Sequence, residues 1–128
     1  MTKILKLINH DLTEEQTKDL FKLIPDMQLL ELPTDLKKWT TQSPDSPNGI
    51  NFAVGEIIGF IDQNKVDVVL LPAGSPAFMF VFAHRIKQDL PFVKCLFSHS
   101  VREFQETKRD DGSVKKINIF KHKKWMIL

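Results

Sequence analysis

Two periods of apolar residues run through this chain, and the switches between them mark out its elements. Short apolar runs at Ile4–Ile8, Met27–Leu32, Val68–Leu71 and Phe92–Phe97 read as strands. Between them the apolar positions fall at helical spacing. Thr13, with Gln16 three residues on, forms a capping box ahead of Leu20, Leu23 and Ile24, and Pro25 stops that helix. Leu36–Trp39 predicts a brief helical turn, and Thr40–Gly49 (TTQSPDSPNG) is the most loop-like segment. Ile50–Asn64 predicts a helix carrying Ile50, Ala53, Val54, Ile57, Ile58 and Ile61 on one side. Gly55 and Gly59, one turn apart on it, predict a flat side packed against a sheet.

The most informative unit is Val66–Ile86 (VDVVLLPAGSPAFMFVFAHRI). Val68–Leu71 has no charge inside it, as expected of a parallel strand covered on both faces. Ser75 is a good N-cap, and Pro76 sits where its missing N–H is harmless. The N–H groups of Ala77 and Phe78 then point out of the helix start, and Gly74 lets a backbone or a ligand come close. Such a turn is either an efficient strand-to-helix connection or an anion site, with phosphate the usual anion. The helix that follows, Pro76–Asp89, carries Phe78, Met79, Phe80, Val81, Phe82 and Ala83 all around its axis. A helix apolar all round is buried on more than one side. The expectation is a homodimer through Pro76–Asp89, which brings two copies of the Gly74-Ser75 loop to the two-fold axis.

The first hundred residues therefore alternate strand and helix, an α/β pattern of a mostly parallel sheet with flanking helices. Residues 101–122 differ and predict a C-terminal β-hairpin, within a single domain spanning 1–128. Val101–Lys108 and Val114–His122 flank Asp111-Gly112, a strong turn signal. A two-residue turn there sets Arg102 opposite Lys121, sharing a face with Phe104, Ile117 and Ile119. Glu103, Gln105, Phe120 and His122 fall on the other face. Like charges facing each other call for an anion or an acidic neighbour such as Glu106.

Charge and composition narrow the function. The net charge is +2, too small to predict binding to long nucleic acid, although Lys115, Lys116, Lys121, Lys123 and Lys124 crowd the end of the chain. Cys95 is the single cysteine, which excludes an internal disulfide and a cysteine-rich metal site. No apolar run approaches the ~18 residues of a membrane span, and the N-terminus lacks a signal-peptide pattern, so the expectation is a cytoplasmic protein.

In an open parallel sheet, ligands bind beyond the carboxyl ends of the strands. Three such ends are readable: Asn9-His10, Pro72–Ser75, and Ser98-His99-Ser100. They supply amide, imidazole, hydroxyl and helix-start N–H groups, with Asp11 the only acid. A two-metal nuclease needs clustered carboxylates, so no metal is predicted. Glycine-rich dinucleotide and P-loop motifs are missing too, and no cofactor is implied. What remains is binding of a phosphate-bearing ligand, or metal-independent chemistry on one. RNA suits the latter, because its 2′-OH can attack the adjacent phosphorus if the protein aligns it and stabilises the charge. His10, His99 and His122 are candidate acid–base groups, and Arg102 matches phosphate geometry better.

Two stretches carry a family resemblance. ILKLINHDLTEEQTKDL at the N-terminus and SHSVREFQETKRDDGSVKKINIFKH near the C-terminus resemble the small CRISPR-associated ring nucleases of the CARF type. In the second, Arg102, Glu106, Asp111-Gly112, Val114, Phe120 and His122 carry the match. The resemblance implies a Rossmann-like (CARF-like) homodimer that binds a cyclic oligoadenylate, most often cyclic tetra-adenylate, and cuts it to linear products. Cutting would switch off type III CRISPR signalling. Arg102, His10 and Ser75 are then the candidate catalytic residues. Asn9, Gly74, Ala77, Ser98, Ser100, Lys121 and His122 are the candidate substrate-binding residues. The chain departs from the pattern in its PAGSPA loop and in the lysine-rich KHKKWMIL end. A receptor or sponge that holds the ring without cutting is the alternative.

Overall fold

The computed structural model describes residues 1–128. Five strands form one sheet: β1 (Thr2–Lys6), β2 (Met27–Glu31), β3 (Val68–Leu71), β4 (Lys94–Lys108) and β5 (Val114–Ile127). Their spatial order is β2-β1-β3-β4-β5, with the first four parallel and β5 antiparallel to β4. The helices are α1 (Glu14–Leu23), α2 (Thr34–Thr41), α3 (Pro47–Gln63) and α4 (Pro76–Asp89).

Alternate residues of the central strands feed two cores. Leu5, Val69, Leu71 and Cys95 point to one face and pack under α3 and α4, against Ile57, Ile61, Phe78, Phe82 and Ile86. Ile4, Val68, Leu70 and Leu96 point to the other face, where Leu20 of α1 and Trp125 of β5 cover them. All four side chains of β3 are buried, as an uninterrupted apolar run in a central parallel strand requires. The α/β reading of the first hundred residues thus holds. Thr13 forms the capping box at α1: its hydroxyl accepts the Gln16 N–H at 3.1 Å, and the Gln16 amide oxygen accepts the Thr13 N–H at 2.9 Å.

Several local expectations shift. The helix read from Ile50 starts at Pro47, because Ser46 caps it by accepting the Gly49 N–H at 3.1 Å. Gly55 and Gly59 do not pack on the sheet. A Cβ at Gly55 would meet the Arg85 guanidinium at 3.4 Å, and one at Gly59 would meet nothing. The α4 helix is not covered all round either. Phe78, Phe82 and Ile86 are buried, Met79 and Val81 lean on the same core, and Phe80 is left 83% exposed.

The hairpin carries the largest correction. Lys108 pairs with Val114, and the Arg109 N–H donates to the Ser113 carbonyl at 2.7 Å, so three residues rather than two make the turn. Gly112 occupies its left-handed position at φ 87°. One extra turn residue slips the register by one, and a one-residue slip exchanges the faces. Arg102 therefore lies opposite Phe120, Phe104 opposite Asn118, and Lys121 opposite Val101. Phe120 and His122 join the Arg102 face, while Ile117 and Ile119 pass to the other with Glu103 and Gln105. The like-charge pair is not formed. A bulge between His99 and Ser100 leaves Lys123 unpaired on β5, which restores Trp125 to the same side as His122.

Candidate functional site

β1 leads into α1 on one face of the sheet, whereas its neighbour β3 leads into α4 on the other. The chain therefore parts at the carboxyl ends of β1 and β3, the position at which open α/β sheets hold ligands. Asn9 and His10 stand exposed on one side of this crevice, and exposed Gly74 and Ala77 with half-buried Ser75 on the other. Ser98 and Ser100 continue from β4, the next strand along. The structure thus brings the three predicted strand ends side by side.

On the α4 side, Ser75 caps the helix, its hydroxyl accepting the Phe78 N–H at 3.2 Å. Phe78 is therefore not a free donor, contrary to expectation. Ala77 is in the first turn and has no intrahelical acceptor for its N–H. Gly74 has φ 68°, and a Cβ there would lie 2.7 Å from Ser43 Oγ and 2.9 Å from Phe78 Cδ1. The close approach that needs glycine is made by the chain's own Ser43 and Phe78. The Gly74 N–H donates to the Thr40 carbonyl at 3.1 Å, and the Ser75 N–H to Ser43 Oγ at 2.8 Å. What the loop offers a ligand is the Ser75 hydroxyl proton and the Ala77 N–H. The first turn of α4 holds no acidic residue, whereas that of α1 holds Glu14 and Glu15. Of the two helix starts at the crevice, α4 is therefore the one that favours an anion.

On the β1 side a buried cation organises the loop. Lys6 ends β1 with its side chain only 6% exposed, and its ammonium lies 2.9 Å from a Glu31 carboxylate oxygen. It also donates to the His10 carbonyl at 3.2 Å. The hydrogen bond from Lys6, with its charge and that of Lys37, holds the Glu31 carboxyl below its ordinary range. The exposed His10 ring lies 2.7 Å from the Asp11 carbonyl through Nδ1, with Nε2 left open.

The third group was not legible as a unit. Ser98 Oγ lies 2.7 Å from His122 Nδ1, and His122 Nε2 lies 3.0 Å from Asp19 Oδ2. The Gln16 amide donates to Ser98 Oγ at 3.1 Å, and the Trp125 indole N–H donates to the Gln16 carbonyl at 3.0 Å. Asp19–His122–Ser98 resembles a nucleophile–base array in connectivity, but Ser98 and His122 are buried beneath α1. They bolt the base of the hairpin to that helix. Gln16 and Ser98 are 82 residues apart and Asp19 and His122 are 103 apart, so no local spacing announces them. The capping box was the only trace, since it fixes where Gln16 begins.

Arg102 stands exposed farther out, its guanidinium 5.2 Å from the Phe120 ring centre. Lys121 is on the opposite face of the hairpin and is not brought to Arg102. A separate, mostly apolar depression of about 750 Å³ opens at the amino ends of the strands, floored by Val68, Leu96 and Trp125. It exists because α1 alone covers that face, and no predicted site residue lines it. No group of three or more His, Cys, Asp or Glu side chains is placed to hold a metal ion. No helix is long and apolar enough to cross a membrane.

A family model, described as the uncharacterized protein MJ1673 family, matches residues 2–126. The chain belongs to that family. No curated protein and no solved structure matches it. The match covers both halves of the MJ1673-family crevice and the whole hairpin except its last residue, Ile127, so the elements that frame the site all lie within the family's span.

Proposed function

We propose that this protein is a cytoplasmic, CARF-like ring nuclease that binds and cleaves a cyclic oligoadenylate without a metal, cyclic tetra-adenylate being the preferred ring. The observation that carries this reading is the side-by-side arrangement of the β1, β3 and β4 ends. It offers amide, imidazole, hydroxyl and first-turn N–H groups, with Asp11 exposed and Glu31 already engaged by Lys6. The resemblance of the two terminal segments to ring nucleases supports the ligand.

In this scheme the ring's 2′-oxygen attacks the adjacent phosphorus. The P–O2′ bond forms as the P–O5′ bond breaks, leaving a 2′,3′-cyclic phosphate and a 5′-hydroxyl. The 2′-OH proton is lost to a base, and the leaving 5′-oxygen gains one. Arg102 stabilises the phosphorane charge, His10 through its open Nε2 serves the proton transfer, and the Ser75 hydroxyl and Ala77 N–H hold a non-bridging oxygen. Asn9, Gly74 and Ser100 line the ring, whereas Ser98 and His122 act by fixing the base of the hairpin. A homodimer through α4 (Pro76–Asp89) would use the exposed Phe80.

Incubating purified protein with cyclic tri-, tetra- and hexa-adenylate in EDTA, resolved by chromatography, tests this. Linear adenylates are expected, and an intact ring after prolonged incubation refutes cleavage. A receptor that sequesters the ring is the second reading, favoured by the spent hydrogen bonds of His122 and Ser98. It predicts salt-sensitive binding with no product.

A further inference from the structure

Beyond Phe97 the strand β4 has no neighbour on its β3 side, so Val101–Lys108 and Val114–Lys121 project from the sheet as a two-stranded ribbon. Its two faces differ in kind. One carries Val101, Ile117 and Ile119, β-branched residues that pack well across a strand pair. The other carries Phe104 and Phe120, which are 69% and 70% exposed. Helix α1 covers that face only at its base, over Ser98 and His122, and from Arg102 outward every residue on it is exposed. Phe104 lies opposite Asn118, so Phe120 is its diagonal neighbour, with the two residues roughly 7–8 Å apart.

The charges around these rings say what fits them. Residues 101–124 hold eight Lys and Arg against four Asp and Glu, so the hairpin carries +4 and the rest of the chain is net acidic. On the aromatic face Arg102, Lys108 and Lys116 stand against Glu106 alone. Glu106 pairs with Lys116 at 3.8 Å with both side chains exposed, and such a pair is weak enough to exchange for a phosphate. Arg102 and Lys108 have no acidic partner. The Arg102 guanidinium rests 5.2 Å from the Phe120 ring centre, which orders it and leaves its N–H fork free. Exposed rings among unpaired cations suit a partner that is flat and apolar in one part and anionic in the next. The bases and phosphates of a single nucleic-acid strand have that character. A lipid surface fits less well, because the ribbon's tip, Arg109–Ser113, would carry the carboxylates of Asp110 and Asp111 into it first.

We propose that the aromatic face of the hairpin binds single-stranded nucleic acid without regard to sequence. Phe104 and Phe120 stack on neighbouring bases, while Arg102, Lys108 and Lys116 meet the phosphates. Two rings hold two bases, so the face grips a short segment, in keeping with a whole-chain charge of only +2. It shares Arg102 with the crevice chemistry and nothing else, and it needs no 2′-OH. The site therefore stands whether or not the crevice cuts a ring.

Fluorescence anisotropy of a labelled oligothymidylate about twelve nucleotides long, titrated with the full chain, tests this. The probe is DNA and has no 2′-OH to attack, so a failure of the cleavage reading leaves the result untouched. Binding is expected to weaken with salt, log K falling by about 2 per decade for three phosphates, and Arg102→Ala should reduce that slope by about 0.7. Phe104→Leu and Phe120→Leu should each weaken binding about tenfold with an unchanged thermal midpoint, whereas Phe104→Trp should retain it. An abasic strand of the same length and charge should bind at least about tenfold more weakly. No binding at about 100 μM protein in low salt overturns the proposal. So does an abasic strand that binds as well as the thymidylate, or leucine variants that bind like the wild type. If vesicles of anionic phospholipid capture the chain instead, and Phe104→Leu releases it, the face is a membrane contact and the nucleic-acid reading fails.

Discussion

Replacing His122 by alanine separates a structural histidine from a ligand-binding one. The imidazole bridges Ser98 Oγ at 2.7 Å and Asp19 Oδ2 at 3.0 Å, and its ring packs 5.2 Å from Trp125. Two hydrogen bonds are worth about 1 kcal/mol each, net of water. Truncating a buried ring next to an indole adds about 1–2 kcal/mol for the lost contacts. Asp19 is half-exposed and rehydrates, and Ser98 keeps its bond from Gln16. Neither is stranded, so the total stays near 3 kcal/mol. For a chain of this size that lowers the melting temperature by about 12 °C. Denaturant unfolding followed by the fluorescence of the two tryptophans reads the loss directly. At 20 °C the variant is still folded, and binding of cyclic tetra-adenylate should be nearly unchanged, since the imidazole faces α1 rather than the crevice. A stability loss below 1 kcal/mol together with abolished ring binding would refute the structural assignment and return His122 to the ligand.

Other substitutions probe single contacts. Gly74→Ala should cost about 2–4 kcal/mol, because an L side chain at positive φ is strained and its Cβ strikes Ser43 and Phe78; calorimetry checks it. Arg102→Ala should lower kcat by about 10²–10³ with little change in ring affinity, and a pure affinity loss would remove Arg102 from the chemistry. Lys6 holds the Glu31 carboxyl below its ordinary value of 4.5, so the ion pair stabilises the fold above that pH. This contribution fades as pH falls through the depressed value, and Glu31→Gln should flatten that limb of the stability–pH curve. Burial raises the Cys95 thiol above its ordinary range, so a maleimide should label it only as fast as the protein unfolds.

Some elements of this fold follow from one local rule, whereas others are settled between two that compete. β3 and α4 were legible because an uncharged apolar run, a Ser cap and an N1 proline act within a few residues of one another. The α3 start was missed because Pro47-Asn48-Gly49 has loop composition, yet Ser46 and Pro47 together make a good helix entrance. The hairpin error has a sharper origin. Asp111-Gly112 fits a two-residue turn, but Asp111 Oδ1 accepts the Ser113 N–H at 2.9 Å and so favours the three-residue alternative. The turn it favours sets which side chains meet across the nine pairs from Lys108 and Val114 to Ser100 and His122, where the bulge shifts the register again. The consequence reaches the chemistry: Arg102 gains Phe120 as its neighbour and loses Lys121.

The site was legible in its address and not in its wiring, for a physical reason. Strand order follows from which connection crosses which face, and alternating β and α segments constrain that strongly. Hence Asn9, Ser75 and Ser100 could be assigned to one end of the sheet. The polar network of Gln16, Ser98, Asp19 and His122 depends on a bulge that leaves Lys123 unpaired and turns His122 and Trp125 to the same side. Without the bulge, strand parity would send those two rings to opposite faces, and α1 could be clamped by only one of them. The hairpin that bears Arg102 is therefore aimed by a defect in its own ladder. Inserting one residue between His99 and Ser100 gives Lys123 a partner and turns His122 and Trp125 to opposite faces. It should therefore misdirect Arg102 more than any substitution at position 123, because a substitution keeps the bulge.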